Sequence, residues 1–230
     1  MLNFTGVGSA YNPELGSNSA YIIKDNSLYI FDCGETVFGK MKKLSLDFRS
    51  FNRIVFLITH THSDHIGSLA SFVSYLYHVE GICPTIVHPN EKIPIYLAVC
   101  GIENHLYKYK QSDNYRDKVL KTKFYTVTHV DNMNCYGILC QINKDGSSFY
   151  YSGDASTLPE KCLNDFNAGK IDYWYQDVTI NIFNHSHFYY EKIYDKIDEN
   201  RLDHVYCMHL EEDAAKILID AGLQVAQIEI

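Results

Sequence analysis

The most informative segment of the chain is Ile58-Thr59-His60-Thr61-His62-Ser63-Asp64-His65, which joins an apolar segment to one with helical spacing. His60 and His62 are one residue apart, so an extended backbone projects both imidazoles to one side, where they can reach the same metal ion. Asp64 and His65, at the turn into the helix, can serve a second ion beside it. Imidazole and carboxylate ligands together suit zinc-like metals. The alternative is a group of surface histidines with Asp64 capping the helix, but one cap does not account for three neighbouring histidines.

A site with two metal ions needs further ligands, and three more candidates each follow a predicted strand. They are His129 after Phe124–Val127, Asp154 after Phe149–Tyr151, and His209 after Val205–Met208. Gly153 permits a sharp turn immediately before Asp154. Single polar residues at strand ends are common, but three of them in a chain that also carries the histidine cluster predict a dinuclear site.

Length and composition bound the class of protein. The chain has 230 residues, of which 46% are hydrophobic, and we expect a single domain over residues 1–230. The net charge is −8, so a long nucleic acid is a poor partner, because gripping one needs a basic face. No apolar stretch is long enough for a membrane helix, and the first residues lack the features of a secretion signal. We therefore expect a cytoplasmic protein without membrane contact, whose seven cysteines are reduced thiols.

Two kinds of pattern predict the secondary structure. Short runs rich in β-branched and aromatic residues predict strands at Ala20–Ile23, Leu28–Phe31, Ile54–Ile58, Phe124–Val127, Tyr136–Ile142, Phe149–Tyr151 and Val205–Met208. Helical spacing predicts helices over Ile66–Val79 and Ala214–Ala221, and turns are predicted at Asn26-Ser27 and Asp145-Gly146. The mixture favours two sheets with helices outside them. Residues 101–122, which are polar, aromatic and weakly periodic, are the best candidate for a mobile or partner-contacting insertion.

The chain resembles the metallo-β-lactamase superfamily, whose ligand set its candidates match in order. Four further motifs resemble the ribonuclease Z branch of that superfamily: Phe4–Ala10, Ser19–Ile23, Phe31–Glu35 and Tyr151–Asp154. The resemblance covers roughly residues 2–220 and implies an α/β (α+β) fold, the four-layer αβ/βα metallo-β-lactamase sandwich, with the site at one edge of two sheets.

The same resemblance implies a cofactor of two Zn²⁺ ions, with Mn²⁺ as a substitute. By that similarity, one ion would be held by His60, His62 and His129. The other would be held by Asp64, His65 and His209, with Asp154 bridging the two.

Differences between this chain and individual branches of the superfamily reduce the number of reactions that the resemblance allows. The loop after His129 does not resemble that of β-lactamases, glyoxalase II and lactonases, and flavodiiron oxidoreductases carry Glu where this chain has His62. Ribonuclease Z carries a long basic tRNA-gripping arm between the equivalents of His129 and Asp154, whereas here that interval is a predicted strand pair. Small cyclic nucleotides therefore fit best. The nearest likeness is to small phage and bacterial cyclic-nucleotide phosphodiesterases, the anti-Pycsar proteins.

The resemblance thus implies a metal-dependent phosphodiesterase that hydrolyses 3′,5′-cyclic mononucleotides. It would act as a homodimer in the cytoplasm, of the host if phage-encoded, with residues 101–122 reaching the partner's pocket. Asp64 would orient or deprotonate the attacking water, and His187, favoured over His185, would be the general acid, oriented by Asp177. Two alternatives stay open. One is a ribonuclease Z-like endoribonuclease acting on RNA. The other is a metal-stabilised protein that sequesters a nucleotide without turnover, against which the complete ligand set argues.

Overall fold

A computed structural model describes residues 1–228 and divides them into two compact units. The first contains residues 1–113 together with Ile228, and the second contains residues 114–227. Each unit is built around one sheet. The expectation of mixed α/β structure with two sheets is confirmed, whereas the single-domain interpretation stays a prediction.

The first unit carries a six-stranded sheet whose spatial order follows the chain. Its strands are β1 (Asn3–Gly6), β2 (Ser19–Lys24), β3 (Ser27–Phe31), β4 (Arg53–Leu57), β5 (Thr85–His88) and β6 (Lys108–Gln111). Strands β1 to β3 are antiparallel and β3 to β6 are parallel. The β2–β3 turn has positive φ at Asp25 (47°) and Asn26 (53°), as a tight hairpin requires. The predicted turn is thus one residue too late.

Four helices belong to this unit: α1 (Val37–Lys43), α2 (Ser63–Ile66), α3 (Leu69–His78) and α4 (Lys92–Val99). Helix α3 forms because apolar residues three and four apart place one buried stripe along it, and this part of the helix predicted over Ile66–Val79 is confirmed. The residues before it differ from the prediction. The amide of Ser68 donates to the carbonyl of Cys33 at 3.1 Å, instead of to a carbonyl of its own helix. That contact separates α2 from α3.

The second unit carries an eight-stranded sheet in the order β14-β13-β11-β10-β9-β8-β7, with β12 paired to β11. Its strands are β7 (Asn114–Arg116), β8 (Leu120–Val127), β9 (Cys135–Ile142), β10 (Ser148–Tyr151), β11 (Tyr173–Thr179), β12 (Phe188–Tyr189), β13 (Val205–Met208) and β14 (Gln224–Val225). Strands β7 to β10 form an antiparallel meander, and β10, β11, β13 and β14 are parallel. The carboxyl ends of β10, β11 and β13 therefore lie at one edge of the sheet.

Three helices accompany this sheet: α5 (Glu160–Asn167), α6 (Lys192–Lys196) and α7 (Ala214–Asp220). On α5, Phe166 packs its ring 5.4 Å from that of Trp174, which is fully buried on β11. Helix α7 confirms the predicted Ala214–Ala221. All seven predicted strands are confirmed to within a few residues at their ends.

Residues 101–122 correct one expectation. They include β6, which pairs with β5, and β7, which pairs with β8. Their backbone amides and carbonyls are thus used in sheet pairing, so a mobile insertion is wrong for these strands. A partner contact by this segment stays a prediction. Among residues 1–228, no helix combines the length and apolar character that crossing a bilayer demands.

Candidate metal centre

In the first unit, the histidine motif lies between β4 and α2. His60 follows the end of β4 and is fully buried, while His62 is extended (φ −68°, ψ 155°) immediately before α2. His60 Nε2 and His62 Nδ1 are 3.1 Å apart. Asp64 and His65 fall in the single turn of α2 and are buried, with His65 Nε2 3.2 Å from Asp64 Oδ2. The four predicted ligands of this motif therefore turn their donor atoms toward one another in pairs.

Asp32, just beyond β3, holds two of these histidines in place. Its fully buried carboxylate accepts hydrogen bonds from Thr59 N at 2.7 Å, from Thr59 Oγ1 at 2.8 Å and from His65 Nδ1 at 2.8 Å. Because the Thr59 hydroxyl donates to Asp32, it accepts from His60 Nδ1 at 3.1 Å. Both rings thus carry their hydrogen on Nδ1 and keep a lone pair on Nε2, the tautomer that binds a metal.

Sequence reasoning did not assign this role to Asp32. The signal was a charged residue directly after an apolar strand, within the quoted motif Phe31–Glu35. Its partners lie 27 and 33 residues further along the chain, so only the parallel pairing of β3 with β4 reveals the contact.

Gly34 fixes the position of the Asp64 backbone. A Cβ atom at Gly34 would lie 1.8 Å from the carbonyl oxygen of Asp64 and 2.5 Å from Ser17 Cβ. Only glycine permits this close approach. The turn of the histidine motif and the loop after β3 therefore pack backbone to backbone.

In the second unit, the three predicted ligands lie beyond the ends of β8, β10 and β13. Asp154, buried after the left-handed Gly153 (φ 57°), is their centre. Its Oδ2 is 3.6 Å from His129 Nε2, and its Oδ1 is 3.4 Å from His209 Nε2. The structure thus brings His129, Asp154 and His209 together in this unit.

Asp177 and His187 adjoin this group. His187 Nδ1 donates to Asp177 Oδ2 at 2.7 Å, and its ring stacks on that of His209 with centroids 4.9 Å apart. Asp177 is fully buried on β11 and also accepts from the Ala155 amide at 2.9 Å. His185, in contrast, is exposed.

The electrostatics of this pair favour an ionised carboxylate and a protonated imidazole. Burial alone would raise the pKa of Asp177, but His187 and His209 beside it hold that pKa below its usual value. Burial alone would lower the pKa of His187, but the charge and hydrogen bond of Asp177 raise it above its usual value.

The donor sets fit divalent cations. In the second unit, the two Asp154 oxygens lie 3.6 Å from His129 Nε2 and 3.4 Å from His209 Nε2. In the first unit, the lone pair of His65 Nε2 faces a carboxylate oxygen at 3.2 Å. Two electron-pair donors that face each other inside a protein are stabilised by a cation between them. Mixed imidazole and carboxylate donors suit zinc.

Comparison with known proteins gives the family and the fold. A protein-family model described as Anti-Pycsar protein Apyc1 matches residues 1–225. An Anti-Pycsar protein Apyc1 from Bacillus phage 010DV004 is 23% identical over 96% of this chain and 93% of its own length. Among solved structures, the short form of human tRNase Z has a TM-score of 0.75 at 16% identity, covering 100% of this chain and 97% of that one. The metallo-β-lactamase fold protein YhfI from Bacillus subtilis has a TM-score of 0.71 at 11% identity, covering 97% and 94%. The predicted metallo-β-lactamase fold is confirmed.

Proposed function

The chain belongs to the anti-Pycsar protein Apyc1 family, and from this premise we propose that it is a phosphodiesterase that hydrolyses 3′,5′-cyclic mononucleotides. Membership and fold together support a metal-dependent hydrolase. The observation that carries the finer proposal is the buried donor group around Asp154, with the paired Asp177 and His187 directly beside it. The two features serve different steps of the hydrolysis of a cyclic phosphodiester, because the bound metal activates the attacking water and a general acid protonates the poor alkoxide leaving group.

The proposed metal ligands are those that the family resemblance implies. His60, His62 and His129 would hold one zinc ion. Asp64, His65 and His209 would hold the other, and Asp154 would be shared. When bound, such a pair of cations polarises the phosphoryl group and makes an attacking water acidic near neutral pH.

The chain's own residues would handle the protons. Asp64 orients the attacking water and accepts its proton. His187 gives a proton to the leaving 3′-oxygen, and the carboxylate of Asp177, 2.7 Å from His187 Nδ1, stabilises the protonated ring. Because His187 Nδ1 is held by Asp177 at 2.7 Å, Nε2 is the nitrogen that serves the leaving group. Asp177 is therefore a positioning residue.

A small substrate is supported by charge and by the interval between His129 and Asp154. The net charge of −8 is unfavourable for a polyanion. The interval is occupied by β9 and β10, which pair with each other as neighbours in the sheet. No basic arm of the ribonuclease Z type fits there. As the resemblance also implies, the protein would act as a homodimer in the cytoplasm.

One alternative has an observation in its favour. The structural likeness to human tRNase Z, with a TM-score of 0.75, is compatible with an endoribonuclease that acts on RNA. Cyclic-nucleotide hydrolysis and RNA cleavage place substrates of very different size at the same kind of site. The size of the preferred substrate therefore distinguishes the two candidate functions.

A substrate panel tests the proposal. Zinc-loaded protein is incubated with purine and pyrimidine 3′,5′-cyclic mononucleotides, a linear dinucleotide and a precursor tRNA at physiological salt, with chelated protein as the blank. We expect a linear nucleoside monophosphate from a cyclic nucleotide at the highest rate. Faster processing of precursor tRNA would replace the proposal with the ribonuclease alternative. Tight nucleotide binding without product would instead favour sequestration.

A further inference from the structure

Two large apolar side chains are exposed on the loop that leads to His187. Ile182 is 57% exposed and Phe183 is 83% exposed. They lie in the segment between β11 and β12, which we call the 180–187 loop. Exposing a phenylalanine to water forgoes the free energy that its burial would contribute, about 1.5–3 kcal/mol for a full side chain. A ligand that covered Phe183 would recover part of that free energy.

Hydrogen bonds hold the 180–187 loop in shape around this tip. Asn181 Oδ1 accepts from the amide of Phe183 at 3.0 Å, and Asn184 Oδ1 accepts from the amide of Ser186 at 3.2 Å. The carboxylate of Glu211 accepts from the Ile180 amide at 3.3 Å and from Asn184 Nδ2 at 3.4 Å. The apolar tip is thus presented by a braced loop, which lowers the ordering cost when a ligand binds.

The far end of the same loop belongs to the metal centre. The carbonyl of Ser186 accepts from His129 Nδ1 at 2.8 Å, and the ring of His187 lies 4.9 Å from those of both His129 and His209. Phe183 precedes His187 by four residues, a distance of at most about 14 Å along an extended chain. A nucleotide whose phosphate lies at the donor group can bridge that span.

We propose that Phe183, with Ile182 beside it, is the surface on which the nucleobase of the substrate stacks. The inference rests on the proposed function. Phe183 would make the protein prefer a nucleotide to a phosphodiester without a base. Every base has a π-face, so stacking on Phe183 tolerates both purines and pyrimidines. The cyclic phosphate supplies the charge that the donor group binds, and the loop supplies the apolar contact.

Kinetics with a matched pair of substrates test this role. One substrate is a 3′,5′-cyclic nucleotide, and the other is 1-deoxyribose 3′,5′-cyclic phosphate, which lacks the base. Loss of one aromatic stacking partner should reduce kcat/KM of Phe183→Ala for the nucleotide roughly 5- to 150-fold, mainly through KM. The abasic substrate should be unaffected, and Phe183→Tyr should restore the wild-type value. Val99→Ala, which changes a side chain of similar exposure (84%) on α4, is the control. Equal losses on both substrates would overturn the proposal.

A binding measurement separates this inference from the proposed function. The chain has one tryptophan, Trp174, which is fully buried, so Phe183→Trp adds an exposed fluorophore at the loop tip. Cyclic nucleotide should quench the added fluorescence with saturation, and the abasic phosphate should not. Quenching without any turnover by the wild type would support the stacking surface while refuting the proposed function. Turnover without quenching would refute the stacking surface alone, and the absence of both would refute both.

Sedimentation of the same variants distinguishes another occupant of the tip. If Phe183→Ala changes the molecular mass in solution while the kinetics of both substrates stay at wild-type values, the loop contacts a second copy of the chain. That result would overturn the assignment to the nucleobase.

Discussion

Gly34→Ala should disable the histidine motif although it leaves every proposed ligand side chain in the sequence. The added Cβ would lie 1.8 Å from the Asp64 carbonyl oxygen. Non-bonded atoms reach favourable contact near 3.5–4.0 Å, so the two backbones have to separate by roughly 1.5 Å or more. Ser17 Cβ, 2.5 Å away, blocks retreat in its direction. The loop after β3 and the turn of α2 must therefore move apart.

The size of the effect follows from this displacement. Overpacking of a well-filled interior costs typically about 1–3 kcal/mol, and the upper end applies here because backbone atoms are involved. A misplacement of about 1 Å at a reacting group costs on the order of 100-fold in rate. Since Asp64 carries the carbonyl that is pushed away, activity should fall at least that far.

Gly39→Ala is the matched control. Gly39 lies within α1, and a Cβ atom there meets nothing within 4 Å. Alanine in a helix is favoured over glycine by about 0.5–1 kcal/mol, so this variant should be slightly more stable and fully active. Denaturant unfolding, zinc content by mass spectrometry and cyclic-nucleotide hydrolysis are measured for both variants. The reasoning is refuted if Gly34→Ala matches Gly39→Ala in all three.

Two further substitutions test the roles given to buried hydrogen bonds. His187→Ala should lower turnover of a cyclic nucleotide roughly 10²- to 10⁴-fold with unchanged zinc content. The loss should be smaller for a p-nitrophenyl phosphodiester, because its leaving group departs without a proton. His185→Ala, which changes an exposed side chain, should keep activity near the wild-type value. Comparable losses in the two histidine variants, or on the two substrates, would contradict the general-acid role. Asp32→Asn gives Thr59 and His65 an amide in place of a carboxylate, so the free energy of unfolding should fall by about 1–3 kcal/mol and zinc affinity by roughly 10- to 100-fold. Denaturant unfolding and zinc competition titration measure both, and unchanged zinc affinity would show that Asp32 does not set the His65 ring.

Local patterns predicted seven of the strands but missed others, of which β11 is the most informative. This strand is the centre of the parallel part of its sheet, yet it contains Gln176 and Asp177, both buried. Polar residues in a short segment argue against a buried strand when they are read alone. Their burial is made possible by partners elsewhere, since Trp174 Nε1 donates to Gln176 Oε1 at 2.9 Å and His187 donates to Asp177. Such compensation depends on the tertiary structure.

The interruption between α2 and α3 has a similar origin. The spacing of apolar residues continues through Gly67 and Ser68, so periodicity alone predicts one helix. Ser68 instead donates its amide to Cys33 and its hydroxyl to the carbonyl of Gly34 at 2.5 Å. Both acceptors lie more than thirty residues earlier, beyond the reach of a pattern that compares neighbours.

In the candidate site, the proposed ligands follow from local sequence patterns, whereas the groups that orient them depend on tertiary contacts. The proposed ligands could be selected from the sequence because metal sites use a few residue types, and these residues stand at predicted strand ends. The orienting groups are dictated only by geometry: a carboxylate for His65, a threonine hydroxyl for His60 and a backbone carbonyl for His129. All three occupy Nδ1 and direct Nε2 inward, although they share no chemical class. Any hydrogen-bond acceptor at the right distance serves, so no motif marks these positions. Sequence analysis favours His187 over His185, and the structure adds a geometric reason for that preference, because the carboxylate of Asp177 lies 2.7 Å from His187 Nδ1 whereas His185 is exposed.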